Sequence, residues 1–320
     1  MKVLIIKYGA LGDIIMATSV IERIREHYSG EQLWLLTEPA FARLFENWPG
    51  LAVQSFSRKG LRSTLQTLRW IRARSFDRLI DLQSNDRSGI LCALSGVPDR
   101  AGNHPRYPYH RHPPDRYSGQ CHAHTRLNEI LAACDIAPAE AAPHLPATGE
   151  VRRRVQEWLA GRGLEASPLV LLHAGASRRH PRKRWPGFAR LARELDARGF
   201  VPVWIGGPDD RDLNRELSAQ VGVDAGDGFP VLELAELGRH ARFAVTNDSA
   251  PMHILSCSGI PVYGLFGPTD WRRTHALGQG HNVISSQEET GTGFRPESLD
   301  HLSVSKVLSR LQADGVVDQS

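Results

Sequence analysis

The sequence predicts an α/β chain of two doubly wound domains, each a mostly parallel sheet between helices, facing one another across a cleft. Three observations carry this prediction. Short apolar runs alternate with amphipathic stretches of helical period through both halves of the 320 residues. A segment of prolines and small residues divides the alternation near its middle. Glycine-bearing turns follow the leading strand of each half, where a doubly wound sheet carries its ligand.

In the first half, strands fit Val3–Lys7, Leu33–Thr37, Val53–Phe56 and Arg78–Leu82. A helix fits Ile14–His27, with Ile15, Val20, Ile21 and Ile24 on one side. Residues 97–122, rich in Pro, Tyr, His and Arg, read as a long irregular loop of the kind that carries function. A helix near Ala123–Cys134 closes the half, and Ile136–Gly149 has the composition of a linker. The expected domains are therefore 1–148 and 149–320. In the second, strands fit Leu169–His173, Val201–Ile205, Phe243–Thr246 and Val262–Phe266. Helices fit Gly187–Arg198, Asp209–Val221, Val231–Arg239 and Pro251–Ser258. A terminal helix near Val304–Gln312 is open to packing on either domain, including back on the first.

Composition narrows the function. No apolar run reaches the roughly 18–20 residues of a membrane span, and the opening run reads as a strand, not a signal peptide. A cytoplasmic location is expected. Cys92, Cys121, Cys134 and Cys257 are scattered without a C-x-x-C pair, which favours buried, reduced thiols over a disulfide framework or a zinc ribbon. The formal charge is +4, but residues 58–126 hold thirteen Lys/Arg against five acids. Such one-sidedness points to an anionic partner or a membrane surface, the alternative being the solvated face of ordinary helices. No nucleic-acid partner is expected.

Three segments could carry chemistry. Lys7-Tyr8-Gly9-Ala10-Leu11-Gly12-Asp13 links the first strand to its helix. Asp13 is either a helix cap or a general base. His173-Ala174-Gly175-Ala176-Ser177 leads into Arg178-Arg179-His180-Pro181-Arg182-Lys183-Arg184-Trp185-Pro186, with five cations in seven residues. Fixed cations and backbone N–H groups at a strand exit suit the charge that develops on a departing diphosphate; the alternative is an exposed basic loop. Thr246-Asn247-Asp248-Ser249-Ala250-Pro251-Met252-His253 precedes Gly264-Leu265-Phe266-Gly267-Pro268-Thr269-Asp270. Asp248 or Ser249 would cap a helix beginning at Pro251, or Ser249, His253 and free N–H groups would meet a phosphate.

Weaker signals read otherwise. Asp210-Arg211-Asp212 matches a metal-binding D-x-D but is taken as first-turn acids on a surface helix. His104, His110, His112, His122 and His124, among Arg and Tyr, suit anion or sugar contacts better than a metal. Glu38 mimics a ribose-holding acid, but Gly9 and Gly12 do not make G-x-G-x-x-G.

These segments, in this order and spacing, together with Asp81-Leu82-Gln83 and Arg87-Ser88, resemble glycosyltransferase family 9, the lipopolysaccharide heptosyltransferases, over nearly the whole chain. The resemblance implies a GT-B fold of two Rossmann-like domains. It implies an inverting transfer of heptose from ADP-L-glycero-D-manno-heptose without a metal or other cofactor. Asp13 then resembles the base and Lys183 the phosphate-contacting lysine, with Arg182 and Arg184 as alternatives. Gly12, Ser177, Arg184, Asp209, Asp248, Ser249, Ala250 and His253 would serve the ADP-sugar donor. Arg58, Lys59, Arg62 and Arg87 would serve an anionic glycolipid acceptor, the lipid A–Kdo core, with peripheral contact at the cytoplasmic face of the inner membrane. Ala250 stands where the family usually has glycine and Trp271 where proline is common, which leaves open another sugar nucleotide or another acceptor. A dinucleotide-dependent oxidoreductase and a non-catalytic glycan-binding protein are the rival readings.

Overall fold

Val3, Leu4, Ile5 and Ile6 are all fully buried, as a central parallel strand covered on both faces requires. They belong to the first of two compact units, Met1–Pro146 and Ala147–Ser320, in a computed structural model that describes residues 1–115, 121–177, 180–226, 229–286 and 296–318. Arg116, Arg178 and Arg179, part of the expected basic segments, lie outside the described residues.

The first unit runs β1 (Lys2–Ile6), α1 (Leu11–Met16), α2 (Thr18–His27), β2 (Gln32–Thr37), α3 (Pro39–Ala42), β3 (Leu51–Ser55), α4 (Leu61–Arg74), β4 (Arg78–Asp81), α5 (Asp86–Leu94), β5 (Asp99–Ala101) and α6 (Ala123–Ala133). Its strands are parallel in the order β3-β2-β1-β4-β5. The order reverses between β1 and β4, so the loops leaving these two strands diverge and open a crevice at their carboxyl ends. Leu4 and Ile6 point to one face, where they meet Leu68 and Ile71 of α4 and Leu91 and Cys92 of α5. Helices α1 and α2 instead contact α6. Each fully buried Leu or Ile in these layers contributes ~1.5–3 kcal/mol of burial.

The second unit runs α7 (Gly149–Ala160), β6 (Leu169–His173), α8 (Phe188–Asp196), β7 (Val201–Trp204), α9 (Arg211–Ser218), β8 (Val223–Asp224), α10 (Val231–Gly238), β9 (Ala241–Asn247), α11 (Ala250–Leu255), β10 (Val262–Phe266), α12 (Trp271–Thr274), β11 (Val283–Ser285) and α13 (Val304–Ala313). The sheet order is β11-β10-β9-β6-β7-β8, again all parallel, with the reversal between β6 and β9.

The structure departs from the sequence reading in three places and, in a fourth, takes one of the two packings left open. The helical period over Ile14–His27 is divided at Ala17 into α1 and α2. The stretch 97–122 contains β5, and a further bridge joins Ala101 to Arg111, because Arg100 is anchored to the carbonyls of Val97 and Pro108. Short strands β8 and β11 extend the second sheet at its edges. Helix α13 packs on the second unit: Val304, Val307 and Leu311 join Phe188, Leu191 and Leu195 of α8 in one apolar cluster.

Candidate functional site

At the switch point of the first sheet, the turn after β1 is held by the turn after β4. The N–H groups of Tyr8 and Gly9 both donate to Oε1 of Gln83, at 2.9 and 3.0 Å. Gly9 has φ +140°, and a Cβ there would lie 2.9 Å from the Phe41 ring, so glycine is required on both grounds. Asp13 is the third residue of α1, and its Oδ2 accepts the Ala10 N–H at 3.1 Å. It therefore caps the helix from inside the first turn. The same carboxylate lines a cavity of about 170 Å³ with Lys7, Gln83, Asn103 and Arg126, so the cap and the candidate base are one group.

Lys7 is buried and donates from Nζ to the Leu82 carbonyl at 3.2 Å. Burial pulls its ammonium below the usual lysine range, against the opposing charges of Asp13 and Asp81. Beneath the turn, fully buried Asp81 accepts N–H groups of Gln83 and Ser84 at 2.9 Å and the Tyr109 hydroxyl at 2.5 Å. Burial still leaves its carboxyl above the ordinary range. A second, open cavity of about 640 Å³ lies between α5 and the 103–109 loop and shares Ser84, Asn103 and Arg126 with the first. The Asn103 amide lies against the Arg126 guanidinium.

In the second unit the corresponding crevice lies at the carboxyl ends of β6 and β9. Fully buried Asn247 joins three segments there: its Nδ2 donates to the carbonyls of Ala174 and Gly175 at 3.0 Å, and its Oδ1 accepts the Trp185 N–H at 3.1 Å. Trp185 is pinned in turn through Nε1 to the Leu302 carbonyl at 2.8 Å. The basic loop is thus fixed at its end. Lys183 turns inward, and its Nζ donates to Asp248 Oδ2 at 2.5 Å. Thr269 donates to the same oxygen at 2.6 Å. Arg184 reaches the Ala176 carbonyl at 3.3 Å, while Arg182 is exposed.

Helix α11 starts at Ala250, one residue before the expected Pro251, with Ser249 at its N-cap position. Neither expected cap forms: Asp248 is engaged by Lys183 and Thr269, and the Ser249 hydroxyl meets His173 Nδ1 at 3.0 Å. The other nitrogen of His173 is 3.2 Å from Asp210 Oδ2. His253 is buried within α11. Ser177 and Asp209 are exposed at the ends of the turns after β6 and β7. Gly12 lies in the first turn of α1 beside Asp13.

A family model, glycosyltransferase family 9 (heptosyltransferase), matches residues 64–302. The chain belongs to glycosyltransferase family 9. Lipopolysaccharide heptosyltransferase 1 of Pseudomonas aeruginosa is 28% identical over 312 aligned residues, covering 89% of this chain and 84% of the relative. Lipopolysaccharide heptosyltransferase 2 of Salmonella typhimurium is 24% identical, covering 98% of each chain. A family 9 glycosyl transferase from Veillonella parvula superposes with TM-score 0.84 at 21% identity, covering 98% of this chain and 96% of its own. E. coli ADP-heptose lps heptosyltransferase II does so with TM-score 0.77 at 20% identity, covering 98% of each. The fold is GT-B, with two Rossmann-like domains.

Within this family 9 glycosyltransferase, several side chains do something other than the sequence suggests. Asp210 is not a surface acid. It is buried against His173, and a Cβ on Gly175 would sit 2.0 Å from its Oδ1, so glycine there makes room for the carboxylate. Burial alone would raise this carboxyl, but the His173 hydrogen bond and nearby positive charge hold it below its ordinary value. Asp212 is exposed beside Arg215. Glu38 is taken by the side chain and N–H of Arg58.

The five histidines between 104 and 124 are mainly structural. His122 caps α6, His124 is buried against Ser19 at 3.1 Å, and His110 meets Arg100; only His104 among the five lines either cavity. Much of the basic excess is structural too. Arg78 is bound to Asp99 and Tyr28, Arg111 to Asp99 and Asp135, and Arg74 lies over the rings of Trp34 and Trp70. Lys59 and Arg62 remain exposed on the turn into α4 and its first residues. Arg87 donates across to Thr64 at 3.0 Å. Motif reading gave Lys7 and Asn247 no role of their own, took Asp210 for a first-turn acid and did not single out Arg126; Gly175 and Gly206, where an added Cβ would lie 2.0 and 2.8 Å from Asp210, were the available signal for Asp210.

Replacing Asn247 with alanine strands three buried backbone groups and is expected to cost about 2–5 kcal/mol in urea unfolding. Asp210 generates a pH effect. With the folded carboxyl below its ordinary 3.8, its contribution is complete above that value and is lost as pH falls through the lower folded value. Asp210→Asn is expected to flatten the acid limb of Tm against pH in that window; an unchanged limb would remove the His173 pairing as its cause.

Proposed function

We propose that the protein transfers heptose from ADP-L-glycero-D-manno-heptose to the inner core of lipopolysaccharide, with inversion and without a metal ion. The observation that carries this reading is the fixed lysine at the carboxyl edge of the second sheet, where Lys183 meets Asp248 at 2.5 Å beside Thr269. A departing diphosphate needs positive charge already in position. Structures described as E. coli heptosyltransferase WaaC with ADP, and with ADP-2-deoxy-2-fluoro heptose, share the fold at TM-scores of 0.75 and 0.71. They support a nucleotide-sugar donor.

In this reading Lys183 neutralises the leaving phosphate, with Ser177 and Arg184 beside it. Asp248 contacts the sugar, and Ser249, Ala250 and His253 line the donor pocket. Asp209 lies near the adenosine, and Gly12 allows close approach of the donor. Asp13 takes the proton from the acceptor hydroxyl as that oxygen attacks the anomeric carbon, while the bond to the diphosphate oxygen breaks. Inversion needs base and leaving group on opposite faces of that carbon, and the two groups are carried by different units of the chain. Arg58, Lys59, Arg62 and Arg87 receive the anionic glycolipid, with the enzyme held peripherally at the cytoplasmic face of the inner membrane. Among the described residues no helix is long and apolar enough to cross a membrane.

Turnover of a panel of ADP-, GDP- and UDP-sugars tests the donor, and ADP-heptose is expected to be preferred. Asp13→Ala is expected to lower kcat by about 10²–10⁴-fold with donor affinity little changed. Lys183→Ala is expected to lower it by about 10²–10³-fold. Activity should survive EDTA; its abolition, restored by a divalent cation, would overturn the metal-free step.

A further inference from the structure

We propose that the outer face of the α4–α5 layer is a docking surface for an anionic lipid bilayer. Leu61, Leu65, Ile90, Leu94 and Tyr107 are 75, 45, 55, 48 and 74% exposed, and with Met1 they are the large exposed apolar side chains among the described residues. Chance scatters such residues singly over a surface. Here they gather on one layer.

Hydrogen bonds establish that the layer is continuous. Arg87 of α5 donates to Thr64 near the start of α4, and Arg72 near its end donates to the Leu94 carbonyl at 2.6 Å. The two helices therefore run side by side, and both bury their inner faces in one apolar cluster. Tyr107 extends the face, its hydroxyl donating to the Ala93 carbonyl at 3.3 Å.

Charge selects the occupant. Residues 57–74 contain Arg58, Lys59, Arg62, Arg69, Arg72 and Arg74 and no acid. Arg74 is committed to Trp34 and Trp70 and Arg58 to Glu38, whereas Lys59, Arg62 and Arg69 are exposed beside the leucines. Asp86, in the first turn of α5, is the acid at this face. Aliphatic side chains separated by long cationic ones suit a fluid surface, where the former enter the acyl boundary and the latter remain among anionic headgroups. Ile90 and Tyr107 also line the larger cavity, which shares a wall with the cavity holding Asp13. A glycolipid in the bilayer would thus find its way to the candidate base; the face deepens the peripheral membrane contact of the proposed function and rests on that reading, and this last step rests on the proposed reaction as well.

Co-sedimentation of the full chain with vesicles tests the surface without donor or turnover. Phosphatidylglycerol-containing vesicles are expected to bind it at least about tenfold better than phosphatidylcholine vesicles at about 0.1 M salt, where screening is incomplete. Leu61→Glu/Leu65→Glu, and separately Arg69→Glu, are expected to reduce that binding at least about tenfold while Tm and turnover on a water-soluble acceptor stay unchanged. Equal binding to both vesicle types, or undiminished binding of both variants, would overturn the proposal. So would a wild-type dimer in sedimentation velocity that Leu61→Glu/Leu65→Glu dissociates, since the face would then belong to a second copy. Loss of transferase activity with vesicle binding intact would sink the proposed reaction and leave the surface standing.

Discussion

The amide of Asn247 is the constraint on which the second unit's site depends. It is the last residue of β9, and the parallel register sets His173 of β6 against Thr246 one position earlier. That register brings the exits of both strands within reach of one side chain, which then satisfies two carbonyls of the first exit and one N–H of the basic loop. At this size only an amide offers two N–H donors and a separate carbonyl acceptor. Because its partners are backbone groups, it fixes the path of the chain while leaving the neighbouring side chains to vary. Lys183 and Asp248 can meet at 2.5 Å because the segments carrying them have already been joined, two residues after the lysine and one before the aspartate.

The first unit solves the same problem with different chemistry. Gln83 ties the turn after β1 to the turn after β4 through two backbone N–H groups. Asp81, fully buried below it, organises the second turn through two more. A carboxyl so deeply placed needs donors on both oxygens, and Tyr109 supplies the remaining strong one. The 103–109 loop, which walls the larger cavity, is therefore anchored from inside the core. The charged groups facing the smaller cavity inherit this rigidity: Lys7 holds its ammonium against the Leu82 carbonyl, and Asp13 spends one oxygen on the helix start.

Legibility in the sequence followed burial. Runs such as those in β1, β6 and β10 are apolar at nearly every position, and only a central parallel strand asks for that. The edge strands β5, β8 and β11 have two or three residues each, too few for any period to emerge. The motif segments announced where the crevices lie, because glycine turns and clustered charge are local signals. What they could not convey was which charge meets which. Asp210 looked like a first-turn acid because its burial depends on His173, thirty-seven residues away, and on the absence of a side chain at Gly175. The basic excess over 58–126 was real in number, yet Arg78, Arg100 and Arg111 hold strands and loops together. Counting charge cannot separate those from residues that face solvent.

The Lys183–Asp248 pair bears on how the proposed reaction would gain rate. Lys183 and Asp248 are 20 and 8% exposed at the side chain, so this is no solvated surface pair and separating it has a cost. A ground-state diphosphate linked to its sugar must compete with the carboxylate for the same ammonium, and part of the attraction is cancelled. As the glycosidic bond breaks, another increment of negative charge reaches the phosphate oxygen, and the balance shifts toward the diphosphate. An interaction weak at the start and stronger at the transition state is the kind that raises kcat and does not merely tighten binding. Thr269, which donates to the same oxygen of Asp248, would partly compensate the carboxylate as the lysine's attention moves. The pair then serves catalysis through the difference between two states, and a variant that simply freed the lysine would bind donor more tightly and turn it over no faster.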